Sequence, residues 1–243
     1  MREFVFLLRP CLWDESSLDL GGPPGSQATA QLTHTDFSPT RRGRDLVEIP
    51  FTGQGSLTIG GFRAHDYFGD GSFYLLDSPG HAVGHLCGLA RTTQGGGPED
   101  DTFVLLGGDV CHYAGILRPS EHLPVPDTIS PHPCSPHGVG SLCPGHAWEE
   151  LQASRGRKPT DTLFDMTFGA DIPLATRTVG KLQELDCLEN VLVVIAHDSS
   201  IRDRAPHFPE SLNGWKANGL GERVRWAFFR DLEHYWREKG LAE

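Results

Sequence analysis

Three short stretches of this chain place a metal-binding side chain just past a run of strand-forming residues. The first is Tyr74-Leu75-Leu76-Asp77-Ser78-Pro79-Gly80-His81, with Gly84 following. The second is Phe103-Val104-Leu105-Leu106-Gly107-Gly108-Asp109. The third is Val193-Val194-Ile195-Ala196-His197-Asp198. Imidazole and carboxylate groups suit zinc or a similar divalent metal. A strand end fixes such groups rigidly at one rim of a sheet, which is what a metal site asks of its scaffold.

The elements that must position these residues can be read from local patterning. Residues 46–51, 56–59, 62–68 and 72–76 are short runs rich in branched and aromatic side chains, each bounded by Gly, Asp or Pro. Such runs predict consecutive strands. Residues 85–93 and 102–106 continue the pattern across a Gly-rich turn, so residues 45–108 predict one antiparallel sheet built from hairpins. Prolines at 119, 124, 126, 131, 133, 136 and 144 make residues 117–145 a loop. Helices are expected over 146–154, 172–185 and 222–239. The last carries Val224, Ala227, Phe228, Leu232, Tyr235 and Trp236 as one apolar stripe. Between helices, residues 191–196 form a continuous apolar run, the pattern of a strand buried on both faces. A sheet followed by helices that cover it predicts an α/β layer arrangement. The division expected is an irregular segment over 1–44 and one folded domain over 45–243.

Composition excludes several functions. A net charge of -11 disfavours nucleic acid, whose phosphates need a basic face, and an anionic membrane surface. No run reaches the ~18–20 apolar residues of a membrane span. The apolar stretch near Met1 falls short of the ~7–15 residues of a signal-peptide core. Six scattered cysteines in a chain of this size read as free thiols and a cytoplasmic protein.

Taken in order, Asp-x-Pro-Gly-His-x-x-Gly, Gly-Gly-Asp and a strand ending Ala-His-Asp resemble the second half of the metallo-β-lactamase superfamily, nearest its lactonase-like or thioesterase-like members. The resemblance covers about residues 45–240 and rests on the three motifs together, since any one alone would be weak. It implies part of an αββα sandwich, mainly its second half, and a zinc-dependent hydrolase of a small ester, lactone or thioester. In that pattern His81 is the third histidine of a first metal site. Asp109 is the aspartate that bridges both metals at the catalytic centre, and His197 is the histidine of the second site. Asp77 and Asp198 are outer groups that orient ligands by hydrogen bonding.

One part of the pattern is missing. The family's His-x-His-x-Asp-His does not occur, and the nearest stretch, Leu32-Thr33-His34-Thr35-Asp36-Phe37, lacks two of its three histidines. The resemblance therefore implies an N-terminally truncated member in which zinc binding is weak or absent and hydrolysis is impaired. Two other readings stand beside it. One is a non-catalytic relative that associates with itself or a partner through an uncovered sheet face. The other is a mis-predicted gene product whose irregular first segment is not native sequence.

His132, Cys134, His137, Cys143 and His146 contain a Cys₂His₂ set, but the spacing fits no zinc finger, and a proline-rich loop is the plainer reading. His65 and His85 sit near strands and read as satisfied histidines. His112 reads the same way, although its place three residues after Asp109 could put it at a pocket mouth.

Overall fold

The computed structural model describes residue 49 and residues 51–53, 56–97, 100–135 and 138–243. The segment 1–44 and most of the expected strand over 46–51 lie outside these residues, as does the stretch around His34. Every element described below falls in the unit Pro50–Glu243.

Six strands form one mixed sheet in sequence order: β1 Leu57–Ile59, β2 Phe62–Asp66, β3 Phe73–Asp77, β4 Leu86–Thr93, β5 Thr102–Gly108 and β6 Val191–Ile195. The first five pair antiparallel through short hairpins, as the alternation of strand runs and turn residues predicts. β6 returns after a long helical crossover and pairs parallel to β5, with Leu105 opposite Val193. Parallel neighbours need such a crossover because a hairpin cannot reverse the chain twice.

The helices are α1 Ala114–Leu117, α2 Gly145–Ser154, α3 Ile172–Asp186, α4 Ser199–Arg202, α5 Leu220–Arg225 and α6 Glu233–Glu238, with a 3₁₀ segment Ala227–Leu232. α3 begins where Asp171 accepts a hydrogen bond from Leu174 N–H at 2.8 Å and Pro173 sits in the first turn. Its apolar stripe, Ala175, Val179, Leu182 and Leu185, packs on the sheet face formed by Phe62, Ala64, Leu76, Cys87, Leu89, Leu105, Val191 and Val193. The opposite face of β5 and β6 presents Val104 and Leu192 to Ile201, Trp215, Leu220 and Val224. β6 is thus buried on both sides, which explains its unbroken apolar run.

One expected element differs. The single helix over 222–239 is broken into α5, the 3₁₀ segment and α6. Trp226, Ala227, Phe228 and Phe229 are four consecutive buried residues. A straight α-helix advances 100° per residue and would turn one of them to solvent. The tighter 3₁₀ turn lets Trp226, Phe228 and Phe229 all join Trp148 and Trp236 in a separate aromatic cluster. No helix among the described residues is long and apolar enough to cross a membrane, and the five described cysteines are free.

Candidate metal centre

Strand direction brings the three stretches together. β3 and β5 are each antiparallel to β4 and so run the same way, and β6 is parallel to β5. The C-terminal ends of β3, β5 and β6 therefore share one rim, with the start of β4 between two of them. His81, Asp109 and His197 each follow one of those ends. The Asp109 carboxylate lies between the imidazoles, one oxygen to each: Oδ2 is 3.7 Å from His81 Nε2 and Oδ1 is 3.1 Å from His197 Nε2.

His112 completes the cluster. Its ring centroid is 4.9 Å from that of His81 and 4.8 Å from that of His197. One ligand atom each from His81, Asp109 and His112 lies within 4.8 Å of the others. Among the described residues, this is where three potential ligands gather. Burial, with the His197 and His81 imidazoles beside it, holds His112 below the ordinary histidine pKa. A neutral ring near neutral pH keeps a lone pair for a metal. His112 had only its spacing from Asp109 to mark it in the sequence, since it follows no strand of its own.

His85, at the mouth of β4, serves the site indirectly. Its Nε2 accepts the Asp109 backbone N–H at 3.1 Å, so the proton sits on Nδ1, beside Ser78 O at 3.1 Å and Ser78 Oγ at 2.9 Å. Burial lowers its pKa, which favours this neutral tautomer. Nε2 is thereby committed to holding the Asp109 backbone.

Asp77 and Asp198 hydrogen-bond elsewhere. Asp77, the last residue of β3, pairs with Arg63 of the neighbouring β2. Asp198 caps the short α4, its Oδ1 accepting from Ser200 N–H at 2.9 Å and from the Ser200 hydroxyl. The Cys₂His₂ set is not assembled among the described residues, and His137 lies outside them. His132 spends both ring nitrogens, on Leu241 O at 2.9 Å and Cys134 N–H at 3.1 Å. His146 faces Glu149 and Glu150 on α2.

The Pro-Gly turn before His81 is made by close packing. Gly80 has φ +129°, and a Cβ there would lie 2.3 Å from the Ala175 backbone nitrogen in α3. Thr178 Oγ1 donates to Pro79 O at 2.6 Å, and Asp171 N–H donates to Gly80 O at 2.9 Å. Gly80→Ala is therefore expected to destabilise the fold by ~1–3 kcal/mol from backbone conformation alone, with the clash adding to it. The measurement is the urea midpoint, and an unchanged midpoint would contradict the packing argument.

The residues fit a divalent metal by donor chemistry and by one further observation. His81 Nδ1 is buried with no hydrogen-bond partner, whereas its Nε2 faces Asp109. A buried polar atom left alone costs ~1–3 kcal/mol. The His81 ring is thus uncommitted to any hydrogen-bond network and open to ligation. Two imidazoles and a carboxylate, the gathered set of His81, His112 and Asp109, are donor types that divalent metals accept.

Among curated proteins, the chain is similar to the metallo-hydrolase mfmC of Annulohypoxylon moriforme, 45% identical over 207 residues, which is 83% of this chain and 52% of that protein. It is similar to the gamma-lactamase FDB1 of Fusarium pseudograminearum, 39% identical over 228 residues, 89% of this chain and 53% of that protein. It is also similar to the gamma-lactamase MBL2 of Gibberella moniliformis, 49% identical over 125 residues, 51% of this chain and 49% of that protein. The chain spans about half the length of these relatives. No protein-family model and no solved structure matches it.

Proposed function

We propose that this chain, whose similarity to a metallo-hydrolase and two gamma-lactamases supports a metallo-β-lactamase fold, supplies His81, Asp109, His112 and His197 to a zinc site that hydrolyses an acyl bond in a small molecule. The bond classes are ester, lactone and thioester, joined by the γ-lactam on the strength of two relatives' names. The observation that carries the reading is the gathering of ligand atoms from His81, Asp109 and His112 within 4.8 Å, with His197 3.1 Å from Asp109.

When bound, zinc polarises the carbonyl under attack and allows water to act as a nucleophile near neutral pH. The protein's share of the work is positional. Strand ends fix His81 and Asp109, and His85 holds the Asp109 backbone through its N–H. The Asp109 carboxylate, 40% exposed, would hold the metal with one oxygen turned to each histidine. Five free thiols support a cytoplasmic setting.

The 243 residues lack His-x-His-x-Asp-His, so this chain's own zinc affinity and turnover are placed low. The same absence favours a second reading, a non-catalytic relative. One experiment separates them: zinc-loaded chain assayed on a γ-lactone, a γ-lactam, an ester and a thioester, before and after chelation. The hydrolase reading predicts turnover of at least one, below the ~1–10³ s⁻¹ usual for enzymes, abolished by chelator and restored by zinc. Absence of any zinc-dependent turnover would overturn it in favour of the second.

A further inference from the structure

We propose that Phe168 is the substrate-selecting wall of this site, so that the preferred substrate carries an apolar substituent beside its scissile carbonyl; this rests on the hydrolase reading above. Single exposed apolar residues are ordinary. Phe168 differs in where it stands and how it is held. The residue is 65% exposed, yet its ring centroid is 5.7 Å from that of His81 and 5.2 Å from that of His112, meeting the latter edge-on at 84°. It therefore borders two of the candidate metal ligands with much of its ring open to solvent.

The backbone that carries it is tied to His81 itself. Ala170 N–H donates to His81 O and Asp171 N–H to Gly80 O, both at 2.9 Å. Between Phe168 and that clamp sits Gly169, with φ +146°. A Cβ there would approach Gly80 O at 3.0 Å and His81 Cα at 3.3 Å. Asp171 then caps α3. The ring is thus registered to the metal centre through two residues of fixed backbone, and a ligand that covers it meets a wall already in place. Preorganisation of this kind turns apolar contact into affinity rather than into ordering cost.

The test uses the zinc-loaded full chain and two carboxylates that mimic hydrolysis products, acetate and decanoate, with binding measured by calorimetry. Wild type is expected to bind decanoate about tenfold or more tighter than acetate. Phe168→Ala is expected to lose most of that preference with acetate binding unchanged, and Phe168→Leu to recover it. Because the side chain is exposed, both variants should melt like wild type. No preference in wild type, or an equal loss for both ligands in Phe168→Ala, would overturn the proposal. Hydrolysis of γ-butyrolactone and γ-decalactone, run alongside, keeps the two readings apart. Phe168-dependent binding with no hydrolysis would sink the hydrolase reading and leave the wall. Hydrolysis of both lactones weakened equally in Phe168→Ala would sink the wall and leave the hydrolase.

Discussion

Asp109→Ala is expected to strip the site of metal. Its two carboxylate oxygens face His81 and His197 separately, so truncation removes the group that joins the two histidines. Loss of a residue that only orients a ligand typically costs ~10–100-fold in metal affinity. Loss of the joining carboxylate should exceed that, with zinc affinity measured by direct titration falling by more than ~100-fold from the wild-type value and any hydrolysis falling with it. The Asp109 side chain is 40% exposed, and the His85 hydrogen bond is to its backbone N–H, which alanine keeps. The variant should therefore melt like wild type. Retained zinc in a folded Asp109→Ala protein would remove Asp109 from the site.

Asp186→Ala is expected to destabilise the domain by ~3–5 kcal/mol. Arg118 and Asp186 form a forked pair, Nε to Oδ2 at 2.6 Å and Nη2 to Oδ1 at 2.5 Å, with the two side chains only 3% and 2% exposed. Burial alone would lower the Arg118 pKa, but the Asp186 carboxylate more than offsets it. Arg118 Nη1 also donates to Arg225 O at 2.9 Å. The pair thereby ties together the end of α1, the end of α3 and α5. α1 follows directly on the loop that carries Asp109 and His112, so the clamp also braces the metal rim. Removing only Asp186 leaves a buried cation unpaired. Replacing both partners, as Arg118→Met with Asp186→Leu, should recover much of the loss, because an apolar pair carries no desolvation cost. Urea unfolding of the single and double variants measures this. A double variant no more stable than Asp186→Ala would contradict it.

The legible part of this protein was the part governed by periodicity. β1 to β5 announced themselves as short branched and aromatic runs between turn residues, and β6 as a run buried on both faces. Because His81, Asp109 and His197 follow such runs, their order along the chain was enough to expect them at one rim. His112 was not legible in the same way. Its place depends on how the loop after Asp109 folds back between two other histidines, and no sequence period encodes that. Asp77 and Asp198 show the opposite difficulty. The family resemblance implies orienting roles for them, while one oxygen of Asp77 pairs with a cross-strand arginine and one oxygen of Asp198 caps a helix N-terminus. The C-terminal helix differs for a packing reason: the stripe of Val224, Ala227, Phe228, Leu232, Tyr235 and Trp236 predicts one helix, but Trp226 and Phe229 are buried as well, and the 3₁₀ turn accommodates residues 226–229 together. Phe168 gave no signal at all, since an aromatic residue in a loop gains meaning only from the rings beside it.

The most direct measurement of the central claim is X-ray absorption at the zinc edge of the loaded chain. Ligation by His81, Asp109, His112 and His197 predicts nitrogen and oxygen neighbours at ~2.0–2.2 Å, imidazole outer-shell scattering and no sulfur. A sulfur shell at ~2.3 Å would contradict the account and move the metal to the cysteines of the proline-rich loop.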